Sequence, residues 1–296
     1  MPGLTLRASA TTTPTEANPV PPINQRRLGR TNLNVTELGL GAMDTPTSED
    51  GPATLEAAHT LGINFIDTAR DYAGSEFLIG RHIRERRSHN LPANLLITSK
   101  TFSHTIHGSQ RDVDRSLATL GLETIPLYQL HDISTEDAWR EVLDEDTGAL
   151  TGLKTAQYRG LIDHIGVSSH NTQLLETLIT SGHFAAVMLE YSAFFPETAP
   201  LIDLAAQHDV GVIVMRPLGG SGRTSAMRTR IADGDAGPLT PANLLRYVLS
   251  NPNITTAIPG ARHPDRIEAN VATASHDGPM SIAEQRSLEQ EAARLY

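Results

Sequence analysis

The sequence contains no cysteine. A chain without thiols forms no disulfide, holds no iron–sulfur cluster or thiolate zinc, and has no cysteine nucleophile; such a composition fits a cytoplasmic protein. Long apolar runs are also missing, since nothing approaches the roughly 18 consecutive apolar residues of a membrane span. Basic residues are scarce: 24 Lys and Arg stand against 34 Asp and Glu, a formal charge of −10. Binding to a phosphate backbone is driven by clustered cations that release counterions, so this balance argues against a nucleic-acid partner. The stretch Met1–Asn24 is rich in Thr, Ala and Pro but lacks the basic start and apolar centre of a secretory signal. It reads as a disordered leader, residues 1–24, ahead of one domain over residues 25–296.

What is present is a regular alternation. Apolar, β-branched runs of strand length occur at Glu37–Gly41, Asn64–Asp67, Leu95–Ser99, Leu127–His131, His164–Ser168, Ala185–Glu190, Gly211–Met215 and Thr255–Ile258. Between and after them lie helical patterns: Ala53–Leu61, Glu76–Arg86, Arg111–Leu120, Ala138–Tyr158, Thr172–Thr180, Pro200–His208, Ala242–Leu249 and Pro264–Ala272. Asn171, and Thr240 before Pro241, are good helix starts. Eight strand–helix units imply parallel pairing with right-handed crossovers, and the α/β architecture that closes them is a (β/α)8 TIM barrel; an open doubly wound sheet is the competitor. The amphipathic stretch Ser281–Tyr296 predicts an extra C-terminal helix.

In such a barrel the residues closing each strand share one mouth, where chemistry is done. Here that set is polar. Asp67 ends the second strand, Tyr72 lies five residues later, Lys100 closes the third strand and His131 the fourth. A phenol is a poor proton donor near neutrality unless a nearby cation shifts it, and Lys100 is placed to supply that charge. Asp67 would keep Lys100 protonated, and His131 would hydrogen-bond a substrate carbonyl oxygen. Taken singly, each has a plainer reading as a cap, a loop aromatic, a solvated terminus or a core histidine. Four gathered at and just after three consecutive strand ends point to carbonyl reduction.

These residues sit in segments that resemble the aldo-keto reductases. Arg27-Leu28-Gly29-Arg30-Thr31 and Leu38-Gly39-Leu40-Gly41-Ala42-Met43 look like that family's N-terminal β-hairpin and first barrel strand. Asn64 to Ala69 with Tyr72, Ile97 to Lys100, and Tyr128 to His131 complete a specific pattern. The resemblance implies that Asp67, Tyr72, Lys100 and His131 are a catalytic tetrad, and that the cofactor is NADP(H), with NAD(H) possible because Gly260 stands where many members have a Lys to the 2′-phosphate. It further implies that Gly41, Ala42, Met43 and Asp67 border the cofactor, and that Ser168 and Ser169 hold the nicotinamide carboxamide, Ser169 replacing the usual Asn. Met188 falls where a Gln is usual, and Tyr191 would stack on the nicotinamide. Arg216, Pro217, Leu218, Gly220 and Gly222 would form the loop over the pyrophosphate, and Gly260, Arg262, Arg266 and Asn270 the adenosine site. The implied function is reduction of small-molecule aldehydes or ketones. A sugar or alcohol dehydrogenase, or a weakly catalytic NADPH-binding regulatory subunit, are the alternatives.

No P-loop is present, and Gly39-Leu40-Gly41 lacks the third glycine of a dinucleotide fingerprint. His104 and His107 could share a metal but read as a polar loop at the mouth, so no metal is expected. Phe102, Trp139, Phe194 and Phe195 are candidates for an apolar substrate lining.

Overall fold

A computed structural model describes residues 22–220, 226–227, 229–230, 237–276 and 278–295. Eight parallel strands, β3 (Leu40–Gly41), β4 (Phe65–Asp67), β5 (Leu96–Thr101), β6 (Ile125–Leu130), β7 (Ile162–Ser168), β8 (Ala186–Glu190), β9 (Gly211–Met215) and β10 (Thr256–Ala257), pair in chain order. The two ends meet: Gly39 N donates to Ala257 O at 2.8 Å and Gly41 N to Pro259 O at 3.2 Å, closing the ring. A Cβ on Gly41 would stand 2.8 Å from Ile258 O, so only glycine allows this approach of the first and last strands. The (β/α)8 barrel expected from the alternation is therefore present.

Strand side chains alternate between two apolar layers because successive Cβ atoms point to opposite faces. In β8, Ala186 and Met188 join the inner cluster with Phe65, Leu127, Ile213 and Ile258, whereas Val187 and Leu189 pack in the layer against the helices. A hairpin of β1 (Gln25–Arg27) and β2 (Asn34–Thr36) adds Leu28 and Val35, both fully buried, to the inner cluster. Its turn lies against the start of β9, where Arg30 N donates to Asp209 O at 2.8 Å. The hairpin thus floors one end of the barrel and leaves the other, where the strands finish, as the mouth.

Several boundaries move. The folded body begins before Gln25, because Ile23 is buried and the Asn24 side chain donates to Glu37 Oε1 at 3.2 Å; residues 1–21 of the expected leader lie outside the described residues. The helix expected over Ala138–Tyr158 is two, α4 (Glu136–Leu143) and α5 (Ala149–Tyr158). Asp144 causes the break, its Oδ1 accepting from Thr147 N at 2.8 Å and Asp146 N at 3.1 Å in a competing turn. Helix α3 (Ile106–Leu120) starts five residues earlier than its apolar pattern, capped by the Thr105 hydroxyl. Asn171 and Thr240 cap as expected, and the C-terminal helix Ile282–Ala293 opens with a Ser281/Glu284 capping box. No helix among the described residues is long and apolar enough to cross a membrane.

Helices α1 (Gly51–Thr60) and α2 (Ser75–Ser88) meet through two imidazoles, His59 Nδ1 lying 3.2 Å from His82 Nε2. Burial, then the Arg86 charge, pushes His59 down to about 4; burial lowers His82 as well, against Glu56. Both hold their protons less tightly folded than unfolded, so stability is intact above the unfolded value of about 6.5 and falls as pH drops toward 4. Urea midpoints taken across that window should decrease, and His59→Asn should flatten the decrease; an equal slope in the variant would remove the histidine pair as its source.

Candidate active site

The residues that gather at the mouth are brought there by backbone pairing. Beyond β4, Thr68 N and Arg70 N continue the ladder to Thr98 O at 2.9 Å and Lys100 O at 3.2 Å, which ties the loop carrying Tyr72 to β5. His131 N in turn donates to Thr101 O at 2.9 Å just past β6. Asp67, Lys100, Tyr72 and His131 therefore share one pocket.

Lys100 is fully buried, and its Nζ donates to Asp67 Oδ2 at 2.6 Å and to Thr68 O at 2.8 Å. The same ammonium lies 4.8 Å from the centroid of the Tyr72 ring. Gln129 Nε2 completes the Asp67 environment, donating to its Oδ1 at 3.3 Å and to Thr98 Oγ1 at 2.9 Å. The Tyr72 hydroxyl is 3.4 Å from His131 Nε2, with the rings edge to face. Phe102 stacks flat on the other side of His131, centroids 3.8 Å apart. His131 Nδ1 is buried without a hydrogen-bond partner.

The electrostatics differ from the expectation built on the sequence. Burial, then the Asp67 charge, pushes the Tyr72 phenol up, with Arg216 pulling the other way. Lys100 does not acidify it, because the Asp67 carboxyl is seated directly on the ammonium. Burial drives this pair toward neutrality, Asp67 up and Lys100 down, each opposed by the other's charge. Burial and the Lys100 charge push His131 down to about 3, so its ring is neutral near pH 7. The phenol accordingly keeps its proton beside a neutral imidazole.

The other expected residues fall into three groups. At the closed seam, Gly41 and buried Ala42 lie beside Asp67, whose O accepts from Ala42 N at 2.9 Å; Met43 is 52% exposed at the mouth, and a Cβ on Gly260 would meet no atom closer than 3.7 Å. Ser168 Oγ accepts from Asp132 N at 2.9 Å and Ser169 Oγ from Asn171 N at 3.1 Å. At the start of the helix Pro264–His276, Arg262 Nη2 is 3.2 Å from Asp44 Oδ2 and Arg266 Nε 3.7 Å from Asp265 Oδ2, with half-buried Asn270 one turn beyond Arg266.

The two expected nicotinamide contacts at the end of β8 take opposite faces. Tyr191 follows Leu189 onto the outer face of β8, where its ring stacks on Tyr247 at 5.4 Å; Met188 is buried in the inner apolar cluster and offers no amide. Strand alternation accounts for both, and it puts half-buried Met215 against the inner cluster at the end of β9 instead. Arg216 has a left-handed backbone (φ 51°) and its Nη1 pairs with Glu190 Oε1 at 2.7 Å, an oxygen also met by His170 Nδ1 at 2.5 Å. Pro217 is buried, Leu218 half-buried, and Gly219 and Gly220 take φ values of 90° and 78°; Gly222 lies outside the described residues. Trp139 packs near Phe184 in the helix layer, and His104 pairs with Glu141 at 2.6 Å. Gln129 and Glu190 were missed by the sequence reading, although each lies on the inward face of its strand, two residues from one already singled out or placed in the core.

A closed parallel barrel thus gathers a buried carboxylate, ammonium and imidazole and a half-buried phenol around one mouth, an arrangement that accompanies a family relationship to the oxidoreductases. The chain belongs to the Aldo/keto reductase family, whose family model matches residues 37–290. It is 30% identical over 241 residues to an aldo-keto reductase of Mycolicibacterium paratuberculosis, covering 79% of each chain. With the L-galactose dehydrogenase of Arabidopsis thaliana it shares 25% identity over 303 residues, 91% of this chain and 94% of that one. An uncharacterized oxidoreductase of Bacillus subtilis is 27% identical over 66% of this chain, and the match spans 65% of that protein's length. Among solved structures, an aldo-keto reductase from Bacillus halodurans in its holo form superposes with a TM-score of 0.73 at 23% identity, covering 91% of this chain and 96% of that chain. An aldo/keto reductase from Klebsiella pneumoniae in complex with NADP and acetate gives 0.70 at 23% identity, covering 91% and 95%.

Proposed function

We propose that the protein reduces aldehydes or ketones to alcohols with NADP(H), Tyr72 handing the proton to the carbonyl oxygen. The observation that carries this reading is the cluster in which a half-buried, protonated phenol lies 3.4 Å from a neutral imidazole and above an ion-paired ammonium. Such a site polarises a carbonyl from two sides: Tyr72 Oη supplies a mobile proton, and His131 supplies a neutral ring nitrogen that steers the oxygen. Asp67 and Thr68 accept from Lys100 and hold it in place, and Gln129 in turn donates to Asp67.

Two features support a dinucleotide. Arg262 and Arg266 present guanidiniums 56% and 64% exposed around one helix start, a donor set suited to a phosphate. Gly219 and Gly220, both at positive φ just past β9, leave the backbone there without Cβ atoms and open to close approach by a phosphate. The Klebsiella enzyme of the same fold is in complex with NADP. At the nicotinamide end Ser168, Ser169, Met188 and Met215 are the residues available, since Tyr191 turns outward. When bound, the reduced cofactor supplies the hydride.

The test is NADPH consumption with a panel of aldehydes and ketones; absence of turnover with all of them would overturn the reading. Arg266→Ala should raise KM for NADPH by about 10- to 100-fold and barely change that for NADH, the range expected when one charge-assisted contact is lost. The names of two relatives, the L-galactose dehydrogenase and a morphine 6-dehydrogenase of Pseudomonas putida, favour a second reading in which the same site oxidises an alcohol. Rates measured in both directions separate the two readings.

A further inference from the structure

Past Phe102 the mouth opens into a groove of about 490 Å³ whose walls carry three arginines, Arg70, Arg111 and Arg115. This is an unexpected concentration of cations in a chain with a formal charge of −10. Phe102 is the shared wall, with one face stacked on His131 at 3.8 Å and 47% of the residue exposed. Phe102 therefore links the two places: it touches His131 on one side and lines the groove on the other, within reach of the far end of an elongated carbonyl compound held at His131 and Tyr72.

The arginines are not equivalent. Arg70 Nη1 is committed to the buried Glu76 carboxylate at 2.6 Å. Arg111 Nε lies 3.6 Å from Asp112 Oδ1, a loose contact to a buried carboxylate whose other oxygen already accepts from Thr101 Oγ1 at 2.7 Å. Arg115 has no ion pair among the described residues and stands four positions after Arg111, one turn along the same face of α3. Asp71 and Asp112 are the opposing charges in the groove; burial, then Asp112, pushes the Asp71 carboxyl toward the neutral form, with Arg70 acting against this. Two guanidiniums one turn apart make a fork that suits a carboxylate or a phosphate better than a neutral chain end.

We propose that Arg111 and Arg115 bind an anionic group at the far end of the substrate, so that the preferred substrates are carbonyl compounds bearing a carboxylate or phosphate. This rests on the carbonyl-reductase reading of the neighbouring site. The experiment compares kcat/KM for adipic semialdehyde with hexanal, and for glycolaldehyde phosphate with glycolaldehyde, in the wild type and in Arg115→Ala and Arg111→Ala/Arg115→Ala. The anionic member of at least one pair should be preferred about tenfold, a ratio typical of one charge-assisted contact. That preference should shrink toward unity in the double variant, mostly through KM, and weaken with added salt. The pair showing the preference identifies the anion as carboxylate or phosphate. Turnover of all four compounds with no preference, or with a preference the arginine variants leave intact, overturns this inference alone. Failure of every compound to consume NADPH overturns the underlying reading instead.

Discussion

Tyr72→Phe is expected to lower kcat/KM for carbonyl reduction by about 10²- to 10⁴-fold, the range a positioned general acid contributes. The substitution is selective. A phenyl ring keeps the edge contact with His131 and the seat near the Lys100 ammonium, now 4.8 Å from the ring centroid, and loses only the hydroxyl. His131 cannot take over, because a ring pushed down to about 3 holds no spare proton near neutral pH. NADPH affinity, read by fluorescence titration, should change little. Reduction at the wild-type rate by this variant would show that the proton comes from elsewhere.

The second large effect is on stability. Lys100→Met should destabilise the fold by about 3–5 kcal/mol, the cost typical of deleting one partner of a buried pair. The reason is geometric: Lys100 is fully buried and the Asp67 side chain is 3% exposed, so water does not replace the lost ammonium. Gln129 Nε2, at 3.3 Å, would be the remaining side-chain donor to that carboxylate. Adding Asp67→Leu should return much of the loss, because an apolar pair of similar size is tolerated where a lone charge is not. Urea unfolding of the single and double variants gives both numbers. A loss below about 1 kcal/mol for Lys100→Met would mean that Asp67 is protonated in the folded protein, the limit toward which burial drives it.

The architecture and the four residues of the pocket were legible for one physical reason: in a parallel barrel every strand ends on the same side. Asp67, Lys100 and His131 needed only their place at the ends of apolar runs. Residues whose role depends on which way a side chain turns past the strand end were harder to read. Tyr191 sits in a familiar pattern, yet one step of alternation sends it out to Tyr247 while Met215 goes inward. The break at Asp144 was hidden because apolar periodicity resumes in phase after the turn. The direction of the Tyr72 shift could not be read at all, since it depends on Asp67 lying 2.6 Å from Lys100 and so masking the charge that would have acidified the phenol. Arg111 and Arg115 look in sequence like an ordinary solvated helix face, and only their meeting with Phe102 makes them a groove.

The seam between residues 37–41 and 256–260 has a further consequence for how the chain reaches its native form. Until the ribosome has released the last strand, the nascent sheet carries two bare edges, with the amides of Gly39 and Gly41 lacking their final acceptors. Contacts so distant along the chain form slowly, and raw edges invite pairing with a neighbour. Synthesis that stalls before Thr256 should therefore yield an aggregating crescent rather than a smaller stable protein.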